Sequence, residues 1–141
     1  QVYRDKNWFY SRYPTGSMSD YEWVAAYDGD KILGLGVWGM RGMNWGEEQT
    51  GRAQITELAG DNKKALIGIV ATIIKRAKEK KAMLLETVTN DNGLERVLKK
   101  CSFFRYGKIP LIVKCIGEEE LPANIHHHPN WRIFGGDIDT F

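Results

Sequence analysis

The sequence predicts an α+β domain with a mixed, mainly antiparallel sheet flanked by two helices, in the order β-β-β-α-β-α-β. Three observations predict this class. Alternating aromatic and β-branched residues come first, one long helical stripe follows, and two short apolar runs then enclose a second helical pattern. The 141 residues are expected to form a single domain, 1–141. Because the chain begins with Gln1 rather than Met, we expect it to be the C-terminal part of a longer protein with an upstream domain.

The first half of the chain predicts three strands. "YEWVAAYD" and "KILGLGVWGMRG" are joined by "DGDK", a favoured hairpin turn, and "RAQITELAG" follows after a loop. Connections this short predict an antiparallel meander. The first twenty residues predict a short helix or an extended arm. The aromatic residues near the start of the chain are more often core and rim than a sugar-stacking platform: Trp8, Tyr10, Tyr13, Tyr21 and Trp23.

The second half predicts two helices and two strands. Residues 61–81 carry apolar side chains with a helical period, and Asp61 is placed to cap this helix. "AMLLETVT" has the length of a buried strand, and "NDNGLERVLKKCSFF" predicts a helix in which Asn92 and Glu95 form a capping box. "GKIPLIVKCIG" predicts the last strand.

Gly34, Gly36 and Gly39 have the G-x-G-x-x-G spacing of a dinucleotide-binding turn. That turn requires a helix directly after the glycines, so that the helix N-terminus faces the pyrophosphate. The following residues, "MRGMNWGEEQTG", have neither helical periodicity nor good helix formers. We therefore exclude a dinucleotide site and expect Gly34 and Gly36, on one face of a strand, to leave room for a closely packed neighbour.

Charge and cysteine content narrow the functional class. The net charge is only +2, and without a recognisable binding module this balance disfavours nucleic acid as a partner. No apolar run approaches the roughly 18 residues that span a membrane. Cys101 and Cys115 both fall in apolar patterns, as buried free thiols do, which favours a reducing, cytoplasmic location.

The order of elements resembles that of the GNAT acyltransferase superfamily after its first strand and helices. "WFYSRYPTGSMSDYEWVAAYDGDKILGLGVW" resembles the entry segment and hairpin of bacterial members associated with carbohydrate biosynthesis, and "AQITELAG" resembles the family's fourth strand. "NDNGLERVLKKCSFF" resembles the family stretch N-x-x-A…L-Y-x-K-x-G-F. Aligned on Phe103, it places Asp91 at the asparagine, Leu98 at the tyrosine and Ser102 at the glycine.

The resemblance implies acetyl-CoA or another acyl-CoA as cofactor. In the family, the fourth strand pairs with the pantetheine arm, and the start of the following helix holds the pyrophosphate. The residues of this chain that the resemblance assigns to the coenzyme are Leu58, Ala59, Gly60, Asn62, Lys63, Lys64 and Asp91. The chain departs from the family because the glycine-rich phosphate loop is missing and Asp61 brings a negative charge to its place.

Two carboxylates are candidates for catalysis. Acyl transfer to an amine or hydroxyl needs a base near the acceptor. Glu57 lies on the strand that resembles the coenzyme-pairing strand, and Glu86 lies near the end of the next strand. The alternative is that either one is a solvent-facing strand carboxylate. We therefore predict an acyltransferase acting on a small-molecule or glycan acceptor with a sugar-linked amine or hydroxyl.

Two other functions remain open from the sequence. The degenerate phosphate segment favours a non-catalytic GNAT-like module that has lost coenzyme and docks a partner domain or a glycan. A weaker possibility is a relative of the peptidoglycan-type aminoacyl transferases. No metal site is expected: residues 126–128 are three histidines without a partner at metal-ligand spacing, and Asp137 and Asp139 are typical of an exposed edge strand.

Overall fold

The computed structural model describes residues 5–13, 21–40 and 51–107 of the chain. Within these ranges the elements are α1 (Lys6–Arg12), β1 (Tyr21–Asp28), β2 (Lys31–Met40), β3 (Arg52–Gly60), α2 (Lys63–Glu79), β4 (Leu84–Thr87) and α3 (Asn92–Lys100). The predicted α+β class and the order β-β-β-α-β-α are confirmed, and the amino-terminal arm contains a helix. The predicted last strand, the histidine triplet and the two tail aspartates lie outside the described residues.

The four strands form one sheet in the order β1-β2-β3-β4. β2 pairs antiparallel with both β1 and β3, whereas β4 pairs parallel with β3. The connections explain this pattern. β1 and β2 are joined by a two-residue turn in which Gly29 has φ +56°, a left-handed conformation that suits glycine. β3 and β4 are joined through α2, because a parallel partner needs a long crossover.

α2 covers one face of the sheet and contacts β1, β2 and β3. Burial of one large apolar side chain contributes about 1.5–3 kcal/mol, so the stripe on α2 is a main source of stability. The buried residues of that stripe are Ala65, Leu66, Ile69, Val70, Ile73 and Ala77. α2 has 17 residues, and among the described residues no helix is long and apolar enough to cross a membrane.

Gly34 and Gly36 lie in the middle of β2, on the face that α2 covers. A Cβ atom at Gly34 would lie 2.9 Å from Ile69 Cδ1, and one at Gly36 would lie 2.6 Å from Ile69 Cγ2. Real Cβ atoms do not approach other atoms this closely, so the two glycines allow the helix to pack directly on the strand. The prediction of a close packing neighbour is confirmed, and a dinucleotide-binding turn is excluded because the glycines lie inside a strand.

On the opposite face of the sheet, aromatic side chains from α1 and the residue after it pack against aromatic side chains of β1. The ring centroids of Tyr13 and Tyr21 are 4.9 Å apart at an interplanar angle of 74°, and those of Phe9 and Trp23 are 5.6 Å apart. Edge-on and tilted contacts of this kind are typical of aromatic packing in protein cores. The rings therefore attach α1 to the sheet.

The N-terminal caps of α2 and α3 each lie one residue away from their predicted positions. Asn62, not Asp61, caps α2, because its backbone is still extended and its Oδ1 accepts from the N–H of Ala65 at 2.9 Å. Asp91, not Asn92, caps α3, where one carboxylate oxygen accepts from two first-turn N–H groups at 2.7 and 3.0 Å. In each case the cap is the last residue with extended backbone angles, which a sequence pattern defines only to within a residue or two.

Candidate functional site

β3 continues beyond its parallel partner. Its pairing with β4 runs from Arg52, opposite Leu84, to Ile55, opposite Thr87, whereas β3 itself continues to Gly60. Among the described residues, positions 57–60 pair only with β2, and Thr56 lies between paired positions where the β2–β3 register shifts. We call the β4-facing backbone of residues 56–60 the β3 edge. Its N–H and C=O groups are arranged to pair with an extended chain that contains amide groups.

The residues of the β3 edge present backbone rather than side chains. Leu58 is 3% exposed because its side chain packs under α2. Ala59 and Gly60 are exposed. A Cβ at Gly60 would lie 3.1 Å from Leu66 Cδ2, so this glycine lets α2 begin close to the strand. Leu58, Ala59 and Gly60 are thus placed to contact a ligand only through main-chain groups, apart from the methyl group of Ala59.

The N-terminus of α2 follows the β3 edge directly and is basic. Lys63 and Lys64 are its first two residues, both are exposed, and no acidic residue lies in its first turn. The helix dipole disfavours a cation at this end by about 0.3–1 kcal/mol, so the arrangement costs stability but favours an anionic ligand. The nearby carboxylate of Asp61 is paired with Lys31 at 3.2 Å, which partly neutralises its charge.

Glu57 is buried, with only 5% of its surface exposed. A β-bulge is responsible for the direction of its side chain. Val37 lies opposite Glu57 but Trp38 lies opposite Ile55, so Thr56 is an extra residue on β3. Ile55 packs under α2, and in regular alternation Glu57 would share that face. The extra residue instead turns Glu57 to the face that carries α1.

On that face the carboxylate meets Tyr13, the residue after α1. The Tyr13 phenol donates a hydrogen bond to Oε1 of Glu57 at 3.1 Å, and Tyr13 is itself only 1% exposed. Burial raises the pKa of Tyr13 far above its usual range; the Glu57 charge raises it further, while the Thr56 hydroxyl acts in the opposite direction. The phenol therefore remains a protonated donor. The alternative that Glu57 is a solvent-facing strand carboxylate does not hold in the structure.

Glu86 shares the face of the sheet with Glu57. It lies opposite Gln54 in the parallel pair and is half-buried. Residues opposite each other in a ladder point to the same side, so the two candidate carboxylates both face away from α2. Asp91 is not in this arrangement, since its carboxylate caps α3. Its predicted part in coenzyme binding stays a prediction.

The other candidate chemistry in the described ranges is weak. Burial raises the pKa of the Cys101 thiol, so less of it is in the nucleophilic thiolate form. Leu98, at the family's tyrosine position, is buried in the core beneath α2. No group of three or more His, Cys, Asp or Glu side chains capable of holding a metal is found among the residues the structure describes.

Comparison with known proteins identifies the fold. No protein-family model matches the sequence, and no curated protein matches it either. Among solved structures, a transcriptional regulator from Bacillus halodurans C-125 matches with a TM-score of 0.51 and 19% identity, covering 75% of this chain and 72% of the other. A probable acetyltransferase matches with a TM-score of 0.50 and 10% identity over 71% and 70% of the two chains.

A third solved structure, wild-type TTHA1254 from Thermus thermophilus, matches with a TM-score of 0.50 and 22% identity. The match covers 69% of this chain and 72% of the other. The chain has a GNAT-like fold. At these identities the likeness establishes the fold and leaves substrate and activity to argument from the site.

The sequence pattern predicts only a core or rim position for Tyr13, and its ring does lie there. Its hydroxyl contacts Glu57, which is 44 residues away along the chain. Only a bulge at Thr56, which leaves no pattern in the sequence, brings the two together.

Proposed function

We propose that this GNAT-like domain is an acyl-CoA-dependent acyltransferase that acylates an amine or hydroxyl of a sugar-linked acceptor. One observation carries the proposal: β3 extends past the end of β4 and is followed within three residues by α2. The buried carboxylate of Glu57, the β3 edge and a basic helix N-terminus therefore lie within one short stretch of chain. Each of the three meets a different need of acyl transfer.

The residues present fit an acyl-CoA. Its pantetheine arm is an extended chain with amide groups, which suits the β3 edge at Leu58, Ala59 and Gly60. Its phosphates suit the positive charges of Lys63 and Lys64 at the exposed start of α2. When bound, the coenzyme would supply an acyl group activated as a thioester, with CoA leaving as the thiolate when the acceptor nitrogen or oxygen takes its place.

Glu57 is the proposed general base. It takes the proton that the acceptor nitrogen or oxygen loses, directly or through one water molecule. The Glu57 side chain lies on the face of the sheet opposite α2, so proton transfer there does not involve the apolar core beneath that helix. Glu86 lies on the same face, one strand further along the sheet, and is the second candidate for this role.

The acceptor and the compartment are inferred from the sequence. The amino-terminal segment resembles that of bacterial members associated with carbohydrate biosynthesis, which supports a sugar-linked acceptor. Dependence on acyl-CoA and the free thiol of Cys101 support a cytoplasmic site of action.

Calorimetric titration with acetyl-CoA tests the proposal. We expect micromolar binding by the wild-type protein and about tenfold weaker binding by Lys63→Glu, because one phosphate contact becomes a repulsion. The same change removes an unfavourable cation from the helix N-terminus, so Lys63→Glu is not expected to lower the thermal stability. Weaker binding is therefore distinguishable from unfolding.

Lys75→Glu is the matched control. Lys75 is exposed on α2 but lies three turns from its N-terminus, so the same charge change there is expected to leave binding nearly unaltered. Absence of heat at millimolar acetyl-CoA would sink the acyltransferase proposal. An equal loss of binding in both variants would show that net charge, and not the helix N-terminus, is responsible.

A second function is favoured by one specific observation. Asn62 already satisfies a first-turn N–H group of α2, and the Asp61 carboxylate lies beside it, where the family holds pyrophosphate. These groups support a non-catalytic GNAT-like module that docks a partner domain or a glycan. The titration separates the two functions, since this module has no affinity for acetyl-CoA.

A further inference from the structure

The buried pair of Tyr13 and Glu57 depends on an irregularity in β3. The core beneath α2 is apolar and continuous, and the pair lies on the other face of the sheet. A regular β3 would place residue 57 beneath α2, where Ile55 and Leu58 pack. The bulge at Thr56 places the carboxylate against the phenol instead, and the Thr56 hydroxyl donates to the Val37 carbonyl at 3.2 Å, which stabilises the bulge.

We propose that Tyr13 is a positioning residue that orients the Glu57 carboxylate and holds it in its charged form for proton abstraction. The proposal rests on the proposed function, in which Glu57 is the base. A hydrogen bond from a neutral phenol favours the carboxylate over the carboxylic acid and holds one of its two oxygens in a defined place. Because both oxygens are bonded to the same carbon, fixing Oε1 also limits the positions that Oε2 can take.

Tyr13 is suited to this part because it remains protonated. The groups that act on it are Glu57 and Thr56 from β3 and Arg12 from α1; Glu57 and burial oppose ionisation, whereas Thr56 and Arg12 favour it. Burial is the largest of these effects, so the phenol donates throughout the neutral range. Among the described tyrosines it is the buried one, since Tyr10, Tyr21, Tyr27 and Tyr106 are exposed.

Tyr13 is distinct from the tyrosine of the family motif. That position is Leu98, which lies in the apolar core beneath α2 and has no hydroxyl. Tyr13 reaches the site from the amino-terminal helix and from the opposite face of the sheet. Its hydroxyl contacts the proposed base, Glu57.

Tyr13→Phe, with Tyr10→Phe as matched control, tests this part. Tyr10 lies on α1, three residues before Tyr13, and is 53% exposed. Release of free CoA from acetyl-CoA is measured against pH, with water and with a panel of amino sugars as acceptors. For Tyr13→Phe we expect kcat to fall about tenfold, KM for acetyl-CoA to stay within about twofold, and the acid limb of the pH–rate profile to move to higher pH.

A second measurement needs no coenzyme. With tyrosines labelled at Cζ, nuclear magnetic resonance follows the Tyr13 resonance at neutral pH, where the phenol is protonated. Glu57→Gln is expected to shift this resonance, because the phenol then donates to a neutral amide and not to a carboxylate, while Glu79→Gln at the far end of α2 leaves it unchanged. An unchanged Tyr13 resonance in Glu57→Gln would show that the two groups do not interact and would overturn the inference.

The outcomes separate the inference from the function on which it rests. If the wild-type protein neither binds nor cleaves acetyl-CoA, the proposed function fails, and the positioning of a base fails with it. If the wild-type protein is active but Tyr13→Phe retains its kcat and its pH profile, the function stands and the inference is wrong. Altered kinetics in Tyr13→Phe, with Tyr10→Phe unaffected, support both.

Discussion

Gly36 of β2 lies directly beneath Ile69 of α2, at a separation that leaves no room for a side chain. A Cβ atom at Gly36 would come to 2.6 Å from Ile69 Cγ2 and 3.1 Å from Ile73 Cδ1. Cγ2 is bonded to Cβ of Ile69, and a β-branched residue in a helix strongly prefers one χ1 rotamer, so rotating this methyl group away is unfavourable. This contact sets the distance between α2 and the sheet, and so the position of the helix N-terminus relative to the β3 edge.

We therefore expect Gly36→Ala to lower the free energy of unfolding by about 1–3 kcal/mol, because it overpacks the helix–sheet contact. Gly68→Ala is the control. Gly68 lies on the exposed side of α2, where an added Cβ would meet no heavy atom within 4 Å, and alanine there is expected to stabilise the helix by about 1 kcal/mol. Chemical denaturation measures both variants.

Ile69→Ala adds a second arm to this test. Without Cγ2 the new methyl group has space, so Gly36→Ala is expected to cost less in the Ile69→Ala background than in the wild type. Equal costs in the two backgrounds would contradict a direct clash. A stabilising effect of Gly36→Ala in the wild type would show that the helix lies further from the sheet.

Ser102 ends α3 in a left-handed conformation, with φ +68°. The N–H of Phe103 bonds to the Leu98 carbonyl at 3.0 Å and that of Ser102 to the Lys99 carbonyl at 3.1 Å, the pattern of a Schellman cap. This conformation costs a residue with a Cβ about 1–2 kcal/mol. The motif resemblance puts glycine at this position, and the backbone explains why glycine suits it.

Ser102→Gly is expected to raise the free energy of unfolding by up to about 1 kcal/mol, because relief of strain exceeds the added entropy of the unfolded chain. Lys100→Gly is the control: it lies in the last turn of the same helix with ordinary helical geometry, so glycine there is expected to destabilise by a similar amount. If thermal denaturation shows both variants destabilised equally, the strained conformation is not present.

The pKa of Glu95 on α3 is lowered, first by a hydrogen bond from Lys99 and further by the charges of Lys99 and Arg105. Both contacts measure 3.0 Å to Oε1 of Glu95. A carboxyl group whose pKa is lower in the folded state stabilises the fold above its unfolded value of about 4.3. That contribution is lost as the pH falls below this value and through the lower folded pKa.

Lys99→Gln is therefore expected to raise the pKa of Glu95 towards its ordinary value, as followed by carboxyl carbon resonances in a pH titration. Lys100→Gln removes the same charge from the adjacent exposed position and is expected to leave the pKa of Glu95 nearly unchanged. The difference between the two variants should shrink at high salt, because the contact is at the surface. If the pKa of Glu95 rises equally in both variants, the net charge of the helix, and not the contact with Lys99, is responsible for the lowered value.

Local patterns were sufficient to predict most of the elements. β1 (Tyr21–Asp28) and β3 (Arg52–Gly60) have the predicted bounds, since alternation over eight or nine residues specifies both period and length. The helical stripe of α2 was predicted for a similar reason, although its predicted ends were wrong by one or two residues. The pairing of Gly34 and Gly36 on one strand face followed from the two-residue period.

The residues proposed for the site could be named from the sequence only in part. Its main-chain portion, from Leu58 to Lys64, is continuous in sequence and could be assigned by resemblance, and Glu57 could be named as a carboxylate on the same strand. Its environment could not be predicted. The bulge at Thr56 reverses the side to which the following residues point, and no residue type signals such an insertion.

The amino-acid sequence by itself determined the α+β class, the order of the elements and the face of α2 that becomes buried, because these follow from periodicity along a local stretch of chain. Only the tertiary structure decided that Glu57 is buried, that Tyr13 is its hydrogen-bond partner and that β3 continues beyond the end of β4. These depend on contacts between residues tens of positions apart, whose geometry is set by the packing of whole elements and not by any local preference.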